Sequence, residues 1–146
     1  AKEIFNKTNM SLLTGNIGIS HNRYPTHGGF GHGEVQPFWT SVPYGIALAH
    51  NGNLTNYHEL SEEVTKQETR YLNTTSDTEV LLHLFADHLH KDVPPKTSEE
   101  FFDLLCEAVT SIFQKVNGAY SVTSLIIGKG LVVFRDPQGI YRSLDA

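Results

Sequence analysis

The stretch Ala49-His50-Asn51-Gly52-Asn53-Leu54-Thr55-Asn56 decides how the rest of the chain is read. It follows an apolar run with strand character, Tyr44-Gly45-Ile46-Ala47-Leu48, and leads into a run with helical spacing from Tyr57 to Lys66. Asn51-Gly52 fits two descriptions. An Asn-Gly pair at a strand end is a common tight-turn signal, because both residues tolerate positive φ. The same geometry also exposes an Asn side-chain amide beside a glycine N–H, and two such donors aimed at one point stabilise a developing oxyanion.

Outward from this stretch, the helical run is predicted to start with Asn56 as N-cap and Glu59 three residues on, as in a capping box, with Leu60 and Val64 inward. A clearer helix is predicted from Ser76. Ser76 caps it, Glu79 reaches back, and Asp77 and Glu79 suit the positive end of the helix dipole. Leu81, Leu84, Phe85 and Leu89 mark its inward face. After Pro94-Pro95, Thr97 and Glu100 open another helix, with Phe101, Leu105, Ala108, Ile112 and Val116 as its stripe. Residues Ala119 to Ile127 and Leu131 to Phe134 then form a hairpin through Gly128-Lys129-Gly130.

Upstream, a short helix is expected around Asn9 to Leu13, a strand from Asn16 to Arg23 ended by Pro25, and an extended piece over Val35 to Trp39. His27 to Gly33 is glycine-rich and reads as a loop, without the helix that a dinucleotide fingerprint requires. Helices grouped between strand groups predict α+β layers rather than alternating βαβ units.

Composition narrows the function classes. The chain has 146 residues, 39% hydrophobic and 18% charged, with a net charge of −5. That length suits one domain with a sizeable core, and there is no basic field to hold nucleic acid. No apolar run approaches the roughly 20 residues needed to span a bilayer. The start lacks a secretory signal core. The single cysteine, Cys106, excludes an internal disulfide framework and fits a reducing, cytoplasmic compartment. Ala1 and the abrupt end at Ala146 are taken as the ends of a piece of a longer protein.

Four polar clusters could carry chemistry. Arg23, in His21-Asn22-Arg23-Tyr24-Pro25-Thr26-His27, has the planar fork that suits a carboxylate. Asn51-Gly52 is the second cluster. Asp77, within Thr74 to Glu79, sits where a carboxylate could anchor an ammonium group. Arg135-Asp136-Pro137-Gln138-Gly139 reads as a structural turn. His83, Asp87, His88 and His90 lack the spacing of a closed metal site and are taken as solvated helix faces. Cys106 has no His or Lys in helical register and is expected to be a packed core thiol. Arg23 and Asp77 together would suit an α-amino acid, one for its carboxylate and one for its ammonium.

Taken in order, His21 to Thr26, Gln36-Pro37-Phe38, Ala49 to Asn56, Ser76 to Leu82 and Arg135 to Ile140 resemble the class II, N-terminal-nucleophile glutamine amidotransferase domain. Within that class they are most similar to the amidophosphoribosyltransferase branch of purine synthesis. The resemblance implies a four-layer α-β-β-α sandwich with antiparallel sheets, here incomplete at its N-terminus, over residues 1–146. It implies that Arg23 binds the glutamine carboxylate and Thr26 contacts the same end. Residues Arg23 to about Glu34 would close over glutamine, Asn51 and Gly52 would form the oxyanion hole, and Asp77 would hold the ammonium.

Family chemistry needs an N-terminal cysteine nucleophile, which this chain lacks, so the chain alone is expected to be inactive. No cofactor is implied for this domain, and Mg2+ would serve a phosphoribosyltransferase domain outside the chain. L-glutamine and that synthase domain are the implied partners, with no nucleic acid or membrane, and a homo-oligomer is expected for the parent. His27, in Thr26-His27-Gly28, and the ending Tyr141-Arg142-Ser143 depart from the branch. The first resembles instead the aminotransferases that form glucosamine 6-phosphate. A nucleophile-less glutamine-binding homologue is the other alternative.

Overall fold

The computed structural model of the chain describes residues 5–22, 35–66 and 71–139. Arg23, Thr26, the glycine-rich run from His27 to Gly33 and the divergent ending after Ile140 lie outside the described residues.

Four strands form one antiparallel sheet in the order β1-β2-β3-β4: β1 Phe38–Thr40, β2 Ile46–Leu54, β3 Gly118–Ile126 and β4 Gly130–Arg135. Four helices accompany them: α1 Lys7–Leu12, α2 Tyr57–Lys66, α3 Asp77–Leu89 and α4 Ser98–Lys115. The α+β class follows, and among the described residues there is one such sheet with one helix layer, half of the four-layer arrangement. No helix of the described residues is long and apolar enough to cross a membrane.

Period-two alternation sets the core. Ile46, Leu48 and Leu54 of β2 and Tyr120, Val122 and Ile126 of β3 point to one face and are buried there against α2, α3 and α4. α3 is the central helix: Val80, Leu81, Leu82, Leu84, Phe85, Ala86 and Leu89 are all buried, a wider apolar surface than one stripe, because α3 packs on β1 and β2 while α2 and α4 flank it. Phe134 of β4 reaches the rings of both Phe85, at 5.8 Å, and Phe113, at 6.1 Å.

Several local expectations are replaced by tertiary ones. Asn51-Gly52 is not a turn. β2 runs through it for 9 residues, and every residue from Ile46 to Leu54 has a partner on β3, with Asn51 opposite Ser121 and Gly52 opposite Tyr120. Residues 16–22 carry no strand: alternation supplies two faces, but a strand needs a neighbour to pair with, and none is present among the described residues. Asn56 precedes α2, but its amide ties the α4–β3 junction instead, donating to Lys115 O at 2.9 Å and accepting from Asn117 N–H at 3.0 Å. On α4, Leu104 rather than Leu105 is the buried stripe residue, while Leu105 packs part-buried beside it. Cys106 is exposed, not a core thiol, because the α4 face carrying Cys106 and Phe102 turns away from the packed helix layer.

The turn at Arg135 to Gly139 is structural, as expected. The buried Asp136 accepts from Tyr120 N–H at 3.3 Å, and its own N–H donates to Tyr120 O at 2.9 Å. Burial, with the Asp136 carboxylate nearby, pushes the Tyr120 hydroxyl up to about 12.

Candidate functional site

The site grows from the far half of β2. β1 pairs with β2 only from Ile46 to Leu48. Beyond Leu48, no described strand covers that edge, and side chains meet the strand's amides in its place. Gln36 Oε1 accepts His50 N–H at 2.6 Å, and Asp77 Oδ2 accepts Leu54 N–H at 3.3 Å. In an antiparallel ladder the N–H groups of alternate residues share an edge, which puts Gly52's N–H between those two capped positions.

Glycine is required there. Gly52 has φ +137°, and a Cβ would lie 2.0 Å from Ala119 O and 2.7 Å from Tyr120 Cα. The strand can therefore press against β3 while its other edge presents the backbone. Asn51, next to it, is held through its side chain: His21 Nε2 is 2.8 Å from Asn51 Oδ1. A carboxamide oxygen only accepts, so His21 donates, which leaves the Asn51 Nδ2 hydrogens as the donors available to an incoming group.

Asp77 opens α3 behind its N-cap Ser76, whose Oγ accepts Thr78 N–H at 3.3 Å. Beyond Leu54 N–H, its carboxylate faces His50: Asp77 Oδ1 lies 3.6 Å from His50 Nδ1, and Thr78 Oγ1 lies 3.2 Å from the same nitrogen. Burial pushes the His50 imidazole below its ordinary value of 6.5, against the Asp77 carboxylate, which pulls it up, and with His21, which pushes it down further. Burial and His21 together favour the neutral ring.

The helix start is braced from outside. Glu79 does not reach back to Ser76. It accepts from Asn73 N–H at 2.8 Å, Asn73 Nδ2 at 3.1 Å, and Thr74 N–H and Oγ1 at 2.7 Å each. Burial alone would raise its pKa, but these four hydrogen bonds outweigh that and hold the carboxyl below the usual carboxylate range.

A cleft of about 260 Å³ lies between residues 18–21 and the strands, with His21, His50 and Asn51 in its wall. Gly52 and Asp77 are not among the residues that line it. Of the residues expected to form the site, Asn51 and Gly52 stand in the far half of β2, and Asp77 reaches the same end through Leu54 N–H. His21, Gln36 and His50 join the site without a role in the sequence motifs that contain them. For His50 the available signal is the alternation of Ile46 and Leu48, which one further step carries to the buried face. Among the described residues, no group of three or more His, Cys, Asp or Glu side chains could hold a metal ion.

Known proteins resemble this chain over most of its length. A family profile described as the glutamine amidotransferase domain matches residues 31–142. The amidophosphoribosyltransferase of Escherichia coli K12 is 44% identical over 140 residues, covering 94% of this chain and 27% of its own length. That of Haemophilus influenzae is 46% identical over 138 residues, again 94% and 27%. The chain therefore spans about a quarter of the length of these curated relatives. Among solved structures, the glutamine phosphoribosylpyrophosphate amidotransferase of B. subtilis, complexed with ADP and GMP, superposes with a TM-score of 0.56 at 31% identity, over 82% of this chain and 23% of that one.

Proposed function

The chain belongs to the glutamine amidotransferase domain family, and from that membership we propose that it is the glutaminase portion of an amidophosphoribosyltransferase-like protein of the cytoplasm. The complete protein hydrolyses glutamine and transfers the ammonia to phosphoribosyl pyrophosphate, giving phosphoribosylamine. The identity of 44% to the E. coli amidophosphoribosyltransferase over most of this chain supports the acceptor assignment. The observation that carries the glutamine reading is the convergence of Asn51, Gly52 and Asp77 at the uncovered end of β2, with Asp77 bonded to Leu54 N–H, two residues beyond Gly52.

The roles follow from what each group can offer. Asp77 takes the α-ammonium of glutamine through the carboxylate face turned away from Leu54. Arg23 takes the α-carboxylate as a bidentate donor, with Thr26 at the same end. The side-chain carbonyl then lies at Gly52 N–H and Asn51 Nδ2. When a thiolate adds to that carbonyl carbon, the negative charge that develops on oxygen is met by two donors already in place, which lowers the barrier without reorganisation at the moment of reaction. Collapse of the tetrahedral intermediate, with the proton that the thiol gave up delivered to the amide nitrogen, breaks the C–N bond and expels ammonia, and water then hydrolyses the thioester that remains. The thiolate is that of an N-terminal cysteine in the family. Cys106, exposed on α4, is not that group.

Calorimetric titration with L-glutamine tests this assignment. The chain should bind it, Arg23→Ala and Asp77→Ala should each abolish binding, and incubation with glutamine should release no ammonia. Binding that neither substitution disturbs would overturn the reading, as would ammonia release that disappears in Cys106→Ala.

A further inference from the structure

Resting on the glutamine reading of this site, we propose that His50 is a positioning residue: its Nδ1–H, anchored on Thr78 Oγ1, faces the Asp77 carboxylate and keeps it turned, charge intact, toward the substrate ammonium. His50 is 4% exposed. Its backbone is fixed by Gln36, and its Nδ1 faces Thr78 Oγ1 at 3.2 Å and Asp77 Oδ1 at 3.6 Å. The other carboxylate oxygen is held by Leu54 N–H at 3.3 Å. Asp77 is therefore gripped from the strand at one oxygen and faced by the ring at the other, while its side chain stays 25% exposed.

The position of the ring proton follows from the surroundings. Nε2 is buried and has no hydrogen-bond partner. With the proton on Nε2, a buried N–H would go unsatisfied, and the Nδ1 lone pair would face a carboxylate. With the proton on Nδ1, it points at two oxygens, and only a lone pair is left unmet. Buried acceptors go under-satisfied more often than buried N–H donors. A doubly protonated ring would carry the orphaned N–H as well, and its charge would compete with the substrate ammonium for Asp77. Around the ring, Asp77 on α3 is the group that favours a positive charge. Burial and His21 oppose it, and Val122, its partner on β3, is apolar. A neutral donor is what the site needs, because it orients a carboxylate without cancelling its charge.

Two measurements test this on the chain itself. Long-range proton–nitrogen correlation spectra of histidine-labelled protein at neutral pH should show His50 protonated on Nδ1 and bare on Nε2. An Nε2–H or doubly protonated ring would overturn the proposal, with or without glutamine binding. Calorimetry then compares L-glutamine with 4-carbamoylbutanoate, which is glutamine lacking its α-amino group. His50→Leu should weaken glutamine by about tenfold and leave 4-carbamoylbutanoate unchanged. His50→Asn, whose amide N–H lies near the Nδ1 position, should restore most of the loss. His50→Gln, whose amide reaches the Nε2 position, should not, and it replaces His50→Leu if that variant fails to fold. Equal losses for both ligands, or none, would overturn the positioning role. If the unsubstituted chain binds neither ligand, the glutamine assignment fails, and the ring's protonation still decides the His50–Asp77 contact.

Discussion

The N-termini of α3 and α4 carry the same signature, a Ser or Thr followed three residues on by Glu, and they are used differently. At α4 the signature closes on itself. Thr97 Oγ1 accepts Glu100 N–H at 3.1 Å, and Glu100 Oε2 accepts Thr97 N–H at 3.4 Å and Lys96 N–H at 2.6 Å. At α3 only Ser76 caps. Glu79 is taken by Asn73 and Thr74, and Asp77 by Leu54 and His50. The difference lies in what faces each helix start. Thr97 and Glu100 are exposed, so their nearest donors are their own backbone. The start of α3 is preceded by Asn73 and Thr74, whose backbone and side-chain donors take the Glu79 carboxylate, while the neighbouring end of β2 takes Asp77. A capping box is thus a default, and the loop that leads into a helix can draw its glutamate to other donors.

Substitutions at the two starts should separate the two uses. The largest effect is expected at Glu79: Glu79→Ala removes the buried acceptor of four hydrogen bonds from Asn73 and the half-buried Thr74 and should cost about 2 kcal/mol in denaturant unfolding. The matching Glu100→Ala should cost only about 0.5 kcal/mol, and equal losses would erase the distinction. Next comes Asp77→Asn, which keeps the size of the side chain and removes its charge. It should weaken glutamine by roughly tenfold to a hundredfold in calorimetry while the thermal midpoint moves little. Thr97→Ala should do the reverse, costing about 1 kcal/mol of stability with glutamine affinity unchanged.

The smallest effect is on the pH profile. Glu79 has a folded pKa below its unfolded value of 4.5, so its contribution is present above 4.5 and is lost as pH falls through the folded value. Glu79→Gln should therefore lose less stability than the parent as pH falls below 4.5. His50 acts higher on the same axis. Its folded pKa lies below 6.5, so the unfolded chain takes up the proton first and stability declines as pH drops below 6.5. His50→Asn should flatten that upper segment, and an unaltered slope would mean that another group carries it.

Part of the candidate site is legible in the sequence because its residues stand in contiguous runs. Asn51-Gly52 and Ser76-Asp77 stand side by side in the chain, and their donors and charge are properties of residue type. His21, Gln36 and His50 were harder. Each stands in a motif that could be quoted, but its role depends on a partner 30, 14 or 28 positions away. Cys106 was misjudged for a related reason: the heptad-like spacing of α4 shows that one face is apolar, not how wide a face the neighbouring elements cover.

What the chain determined by itself is whatever neighbouring residues settle among themselves: the caps at Ser76 and Thr97, the glycine hairpin at 128–130, and the alternation that buries Ile46, Leu48 and His50 together. Only the tertiary structure decided that Asn51-Gly52 is strand and not turn. A turn and a strand offer that dipeptide similar local energies, and the residue-by-residue pairing with β3, possible because Gly52 alone can approach Ala119 so closely, tips the balance. The same pairing leaves the far edge of β2 uncovered. Asn51, Gly52 and Asp77 are then brought to one end of β2 by long-range contacts that no local pattern encodes.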